Sequence, residues 1–337
     1  MKPLMMRATF AFWLLLGASG CTGTFRAEAR GERVMAADGY PLRAYRMVAE
    51  DEGVRPKDAT VFYLDGSRRT SVLERMGALA GFSMMGFPVI LVEPRGLRDD
   101  GSLDREVARR SDTKQLRASD QHAVIDAMLG RVPTEHVVLV GASEGGDVAA
   151  RVAAEDPRVT HVLLLGSGGG LTQADELRSL VRKRPGAFGL ADLPELERGF
   201  ARVKAEPDAL TEWLGHPYRR WSSYLWSRPL DDLARSRASV LLLQGAADEN
   251  VPVESARALA GALGRSSRFS YVEYPGVDHR FRHGPSGRAA FPCLEVDAVH
   301  WLARTGLLDA EEERRFAERT RAQHPEWFAA GNERCGL

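Results

Sequence analysis

Six short apolar runs recur along this chain, at 60–64, 88–92, 136–140, 160–165, 239–243 and 269–274. They are aliphatic or β-branched with little polar alternation, the pattern of strands covered on both faces. Between them lie stretches with apolar residues at three- and four-residue intervals, at 71–85, 114–130, 144–155, 253–263 and 294–305, which predict amphipathic helices. Parallel neighbours need a long crossover, and a helix supplies it. The repeated strand–helix–strand order therefore predicts an α/β fold with a mostly parallel central sheet flanked by helices. Two earlier stretches, 32–36 and 41–49 around Asp38-Gly39, predict an antiparallel hairpin at the sheet edge.

The alternation breaks once. From 166 to 237 no buried strand is evident, and the segment is charged and carries Trp213, Tyr218, Trp221, Tyr224 and Trp226. A structureless loop of that length is uncommon in a compact domain, so the reading is an inserted helical cap over about 167–237. One domain is expected over 32–308, followed by a charged helix and tail over 309–337.

At the other end, Lys2 and Arg7 precede the apolar run 10–17 and then Ala18-Ser19-Gly20-Cys21. A dozen apolar residues span about 18 Å as a helix, short of the roughly 30 Å of hydrocarbon, so the profile is that of a signal peptide over 1–20. Small residues ending at a cysteine resemble a bacterial lipobox. That resemblance implies lipidation of Cys21, a polar linker over 22–31, and a place at the periplasmic face of a bacterial membrane. In such an oxidising compartment Cys293 and Cys335 are a candidate disulfide.

Charge narrows the partners. Forty-six basic residues balance forty-six acidic ones, with the arginines dispersed among acids. No global positive field exists to gather nucleic acid, and membrane association would come through the lipid alone. No Cys/His cluster has metal-ligand spacing, so no metal is expected. The loop 141–146 has Ser143 where a dinucleotide fingerprint needs glycine, and no cofactor is expected.

The sharpest chemical feature is Gly141-Ala142-Ser143-Glu144-Gly145-Gly146, placed between the strand at 136–140 and a helix. A turn this tight leaves no room for side chains two positions either side of the serine, and Gly141 and Gly145 remove them. A serine hydroxyl needs a base, and the base needs a group to fix its tautomer. Asp248 follows the strand at 239–243, and His279 follows the strand at 269–274. Both then lie on loops beyond strand carboxyl ends, on the edge that holds Ser143. Glu249 and Asp278 compete with Asp248 for the orienting role, although Asp278 adjoins His279 and is poorly placed to reach its ring. His122, His136, His161 and His300 read as structural.

Elbow, acid loop and base loop in the order Ser, Asp, His resemble the α/β-hydrolase superfamily of esterases, dienelactone hydrolases and prolyl oligopeptidase-like enzymes. The resemblance implies Ser143 as nucleophile, His279 as general base and acid, and Asp248 as the orienting carboxylate. It implies oxyanion donors at the backbone N–H of Glu144 and, on the loop Asp65-Gly66-Ser67, at that of Ser67. Asp65 replaces the family's frequent histidine and needs a neutralising partner, for which Arg68 or Arg69 is the candidate. The implied activity is hydrolysis of an ester, or else a thioester or peptide bond, in a small-molecule or acyl substrate. An acyltransferase and a non-catalytic binding lipoprotein on the same fold are the alternatives. Tyr218, Trp221 and Leu225 share one helical face, which favours packing within the cap. A pocket lined by Trp213, Tyr218, Trp221 and Tyr224 is the sharper expectation.

Overall fold

A computed structural model describes residues 27–49, 57–132 and 134–328. The signal-like segment 1–20, Cys21 and Cys335 lie outside the described residues. Eight strands form one sheet: β1 (Ala27–Met35), β2 (Pro41–Ala49), β3 (Ala59–Leu64), β4 (Val89–Val92), β5 (His136–Ala142), β6 (Val159–Leu165), β7 (Ser239–Gly245) and β8 (Phe269–Tyr274). Their order across the sheet is β1-β2-β4-β3-β5-β6-β7-β8. The β1–β2 and β2–β4 pairs are antiparallel, and every pair from β4 through β3 to β8 is parallel. All six apolar runs are strands, and Asp38-Gly39 turns the edge hairpin. The hairpin is longer than expected: Ala27–Gly31, read as linker, is paired with Tyr45–Ala49 in β1. Polar residues at an edge strand gave no apolar signal to extend it.

Each buried strand divides its side chains between two cores. Val61, Tyr63, Val89, Leu91, Val138, Val140, Leu241 and Leu243 face one side. Phe62, Leu64, Ile90, Leu139, Val162, Leu164, Val240 and Leu242 face the other. That period of two, with both faces apolar, is why the sequence reads as unbroken hydrophobic runs. On the first face lie α1 (Met76–Met84), entered through a 3₁₀ turn Val72–Arg75, α10 (Phe291–Arg304) and α11 (Ala310–Gln323). On the second lie α3 (Lys114–Leu129), α4 (Gly145–Glu155), α8 (Pro229–Arg235) and α9 (Val253–Leu263). Burying one Val, Leu or Phe side chain is worth about 1.5–3 kcal/mol, so these two layers carry the fold.

One boundary moves at the other end of the domain. The terminal segment read as a charged helix and tail begins at a capping box formed by Asp309 and Glu312, and it packs Phe316, Trp327 and Phe328 into the first core. The hydrolase core thus extends past 308. Cys293, on α10 and buried, is disulfide-bonded. A short helix α2 (Arg105–Ser111) also precedes α3.

Between β6 and α8 the chain builds α5 (Gln173–Lys183), α6 (Leu193–Ala205), a two-residue hairpin Glu212–Trp213 with His216–Pro217, and α7 (Tyr218–Tyr224). These share a separate core of Leu177, Leu196, Phe200, Val203, Trp213, Tyr218, Trp221 and Leu225. The ends of this insertion meet: the N–H of Leu230 donates to Gly169 O at 2.9 Å, and that of Ala174 to Leu225 O at 3.1 Å. α8 then packs on α4 as the crossover to β7.

Candidate active site

Ser143 stands where β5 stops and α4 starts. Its backbone φ is +52°, a left-handed conformation costing about 1–3 kcal/mol for a residue with a side chain. The surroundings impose it. The Ser143 N–H donates to Leu165 O at 2.8 Å, tying the turn to β6, and Gly146 N–H donates back to Ser143 O at 2.9 Å. A Cβ on Gly141 would stand 2.7 Å from Gly145 O, and one on Gly145 would overlap Leu64 O. Glycine is required at both places, and the serine is held at the tip of a strand–turn–helix elbow.

The next two strands bring in an acid and a base. Asp248, after β7, and His279, after β8, meet with Asp248 Oδ2 2.8 Å from His279 Nδ1. The Asp248 side chain is fully buried. Its Oδ2 also accepts from Gln244 Nε2 at 2.9 Å, and its Oδ1 from the N–H groups of Asn250 and Val251 at 2.9 and 2.8 Å. Four donors around one carboxylate fix its position. The competing acids are engaged otherwise. Asp278 Oδ1 accepts the N–H groups of Arg280 and Arg282, and Glu249 touches the backbone N–H of His279 at 3.4 Å rather than its ring.

The loop after β3 lies beside the elbow, and a Cβ on Gly66 would come within 3.3 Å of Ser143 Cβ. This puts the Gly66-Ser67 backbone next to the serine and opposite Glu144. Asp65 is not neutralised as expected. Its partners are Arg75, with Nε 3.2 Å from Oδ2, and the hydroxyl of Tyr63 at 3.0 Å. Arg69 is paired with Asp112 instead. Arg75 succeeds because the 3₁₀ turn folds it back over the loop, a placement with no local signature in the sequence.

The four aromatic residues expected to line a pocket are buried, whereas Trp226 and Phe188 are exposed. Trp213, Tyr218 and Trp221 are buried in the cap core, where the Trp221 indole N–H donates to Trp213 O at 2.6 Å. Tyr224 is buried against α3 and α4, its hydroxyl accepting from Arg117 at 3.2 Å. His122 faces Glu155, His300 faces Glu313, and His136 and His161 meet edge to face.

Sequence reasoning missed an array of charges beside the elbow. Arg117 on α3 donates to Glu144 Oε1 at 2.8 Å and to the carbonyls of Asp65 and Gly66. Arg220 on α7 pairs with the other Glu144 oxygen, its guanidinium 4.1 Å above the Trp221 ring. Burial alone would raise the Asp112 carboxyl, but His216 and the guanidiniums of Arg69, Arg220 and Arg117 hold it below the usual carboxylate range. Arg117 thus connects the backbone of the Asp65 loop to the residue after the serine. Under the elbow, burial pushes Asp147 up to about 6.

Together these features define an α/β-hydrolase, and the chain belongs to that family: the alpha/beta hydrolase family model matches residues 69–291, a span containing Ser143, Asp248 and His279. Among solved structures it is similar to Est1E from Butyrivibrio proteoclasticus, at 17% identity and TM-score 0.57, covering 82% of this chain and 98% of that one. It is similar to an esterase from Pyrococcus furiosus, at 16% identity and TM-score 0.53, covering 86% and 91%. A puromycin-hydrolysing peptidase from Mycobacterium tuberculosis aligns at 20% identity and TM-score 0.54, covering 84% of this chain but 40% of the peptidase. No curated protein matches the chain in sequence. Among the described residues no helix is long and apolar enough to cross a membrane.

Proposed function

We propose that the protein is a serine hydrolase that cleaves a carboxylic ester through an acyl-enzyme on Ser143. The observation that carries this reading is the pairing of His279 Nδ1 with the buried Asp248 at 2.8 Å, on the sheet edge where the strained turn holds Ser143. An aspartate at Nδ1 fixes the proton there and leaves Nε2 free to act as base.

In the proposed reaction Ser143 Oγ attacks the ester carbonyl carbon as His279 Nε2 takes the hydroxyl proton. The carbonyl oxygen becomes an oxyanion that accepts hydrogen bonds from the N–H groups of Glu144 and Ser67. One such donor is typically worth 100- to 1,000-fold in rate, or about 2.7–4 kcal/mol. Collapse of the intermediate breaks the ester C–O bond, and the departing alcohol takes the proton from His279. Water then repeats the sequence, releasing the acid and restoring Ser143. Arg75 supports this chemistry by neutralising Asp65, whose charge would otherwise oppose the oxyanion.

The test is labelling by a fluorophosphonate probe with Ser143→Ala as the control, followed by turnover of short p-nitrophenyl esters. Labelling and turnover that both vanish in Ser143→Ala are expected. Turnover that persists in Ser143→Ala would overturn the assignment.

A further inference from the structure

Two backbone donors beside Ser143 are unspent: among the described residues neither the Ser67 N–H nor the Glu144 N–H has an acceptor. The Gly66 N–H differs from them, since it donates to Asp65 Oδ1 at 2.9 Å. Ser67 and Glu144 belong to different segments, the loop after β3 and the elbow. Donors stabilise an oxyanion well only when they are already aimed at the place where its charge develops, so one segment has to be fixed against the other.

Arg117 spans the two. Its Nη1 donates to Glu144 Oε1 at 2.8 Å, and its Nη2 donates to Asp65 O and, more weakly, to Gly66 O at 3.4 Å. The Gly66 carbonyl and the Ser67 N–H are the two ends of one planar peptide unit, so a hold on that oxygen sets the direction of the N–H. A cation at the carbonyl also polarises the unit and strengthens its N–H as a donor. The guanidinium is itself held. Arg117 is the fourth residue of α3, whose start is capped by the Thr113 side chain and fastened by Lys114, its N–H on Ser223 Oγ and its Nζ on Asp232. The Tyr224 hydroxyl accepts from Arg117 Nη1 at 3.2 Å. Charge balance alone does not explain the arrangement. Arg220 already pairs with Glu144, and a guanidinium required only by that carboxylate has no need to reach the carbonyls of a second loop.

We propose that Arg117 is a positioning residue for ester cleavage, setting the spacing and aim of the two oxyanion donors, the N–H groups of Ser67 and Glu144. This rests on the hydrolase reading of Ser143. Arg117 acts through the Gly66–Ser67 peptide on one side and the Glu144 side chain on the other. Its contribution therefore falls on the transition state, where the oxyanion exists, and not on the bound ester.

The experiment reads that difference. Hydrolysis of p-nitrophenyl butyrate and inhibition by an alkyl trifluoromethyl ketone are measured on the full chain as wild type, Ser143→Ala, Arg117→Ala and Arg117→Lys. Ketone addition bonds Ser143 Oγ to the carbonyl carbon and leaves a hemiketal oxyanion, with the serine proton on His279, so ketone affinity reports the donors directly. Arg117→Ala is expected to lower kcat about 100-fold, the cost of a misplacement of about 1 Å, with KM changed by less than about threefold. Ketone affinity should fall in parallel with kcat. The acid limb of the pH–rate profile should stay in place, because His279 and Asp248 are untouched, whereas general damage to the site moves it. Arg117→Lys keeps the charge but offers one nitrogen where two are used, and should show the same division between kcat and KM. If Arg117→Ala does not fold, Arg117→Lys decides alone. A loss confined to KM, a kcat within about threefold of wild type, a shifted acid limb, or unchanged ketone affinity beside a lowered kcat overturns the positioning role and leaves the hydrolase reading standing. Turnover persisting in Ser143→Ala, or a wild type that neither binds the ketone nor is labelled by fluorophosphonate, refutes the hydrolase reading and the positioning role with it.

Discussion

Replacing Asp248 with asparagine exposes the proposed machinery most directly. The Asp248 side chain is wholly buried and receives four donors: His279 Nδ1, Gln244 Nε2, and the N–H groups of Asn250 and Val251. In the amide, one oxygen still serves the two backbone groups. The other position becomes an NH₂ facing Gln244 Nε2 and the imidazole, two sites that now present donors to it. His279 relieves the conflict only by moving its proton to Nε2, leaving Nδ1 as acceptor and no base toward Ser143. A triad held in the wrong tautomer loses about 10⁴-fold in kcat, which corresponds to about 5.5 kcal/mol at roughly 1.36 kcal/mol per factor of ten. Gln244 Nε2 loses its 2.9 Å acceptor and keeps only the carbonyls of Gly245 and Val251 at 3.4 Å, a weakening of a buried donor that costs about 1 kcal/mol of stability. The assay is kcat on p-nitrophenyl butyrate, with fluorophosphonate labelling rate and Tm measured on the same samples. A folded Asp248→Asn protein retaining more than a tenth of wild-type kcat would refute the triad argument.

Two further outcomes follow from the packing. Trp221→Ala removes a ring that contacts Trp213 and His216 at 5.5 and 5.7 Å between centroids, and should cost about 3–5 kcal/mol while leaving the ranking of neutral acyl chain lengths unchanged. An unchanged Tm with an altered ranking would restore Trp221 to the pocket. Glu295, on α10, is pushed up to about 7 by burial, against the attraction of Arg319. A carboxyl raised in the folded state binds more protons there than in the unfolded chain, so stability falls as pH rises from about 4.5 to 7. Glu295→Gln should therefore raise stability relative to wild type at pH 8, by up to about 3 kcal/mol, with a matching rise in Tm, and not at pH 4. Equal Tm differences at the two pH values would contradict this.

The elements legible in the sequence were those whose signal is local. Both faces of β3 to β7 are buried, so each reads as an apolar run, and the elbow declares itself through Gly141, Ser143 and Gly145 in six residues. Asp248 and His279 stand out as candidates because each lies a few residues beyond such a run. What escaped depends on contacts between distant segments. Arg75, rather than Arg68 or Arg69, answers Asp65 because a 3₁₀ turn reverses the chain. The Arg69, Asp112, Arg117, Glu144 and Arg220 cluster draws on four separate stretches, in a sequence where arginine is abundant everywhere. α2 buries only Ala108 and Ser111 and has no apolar stripe to reveal it. The boundary near 308 missed Phe316 because one aromatic among so many charges reads as surface, although Asp309 and Glu312 already carried the capping-box spacing.

The hydrogen bonds that close the insertion at Gly169–Leu230 and Ala174–Leu225 act as a stem. Everything between is a closed loop whose ends are already pinned, and doubling the length of such a loop adds only about 0.6 kcal/mol of closure entropy. Changes within that loop can therefore leave the strands that hold Ser143 in place so long as Arg220 and Tyr224 keep their contacts with Glu144 and Arg117. Grafting is open to the engineer on the same condition: a foreign cap cut at these bonds must bring its own partner for the buried Glu144.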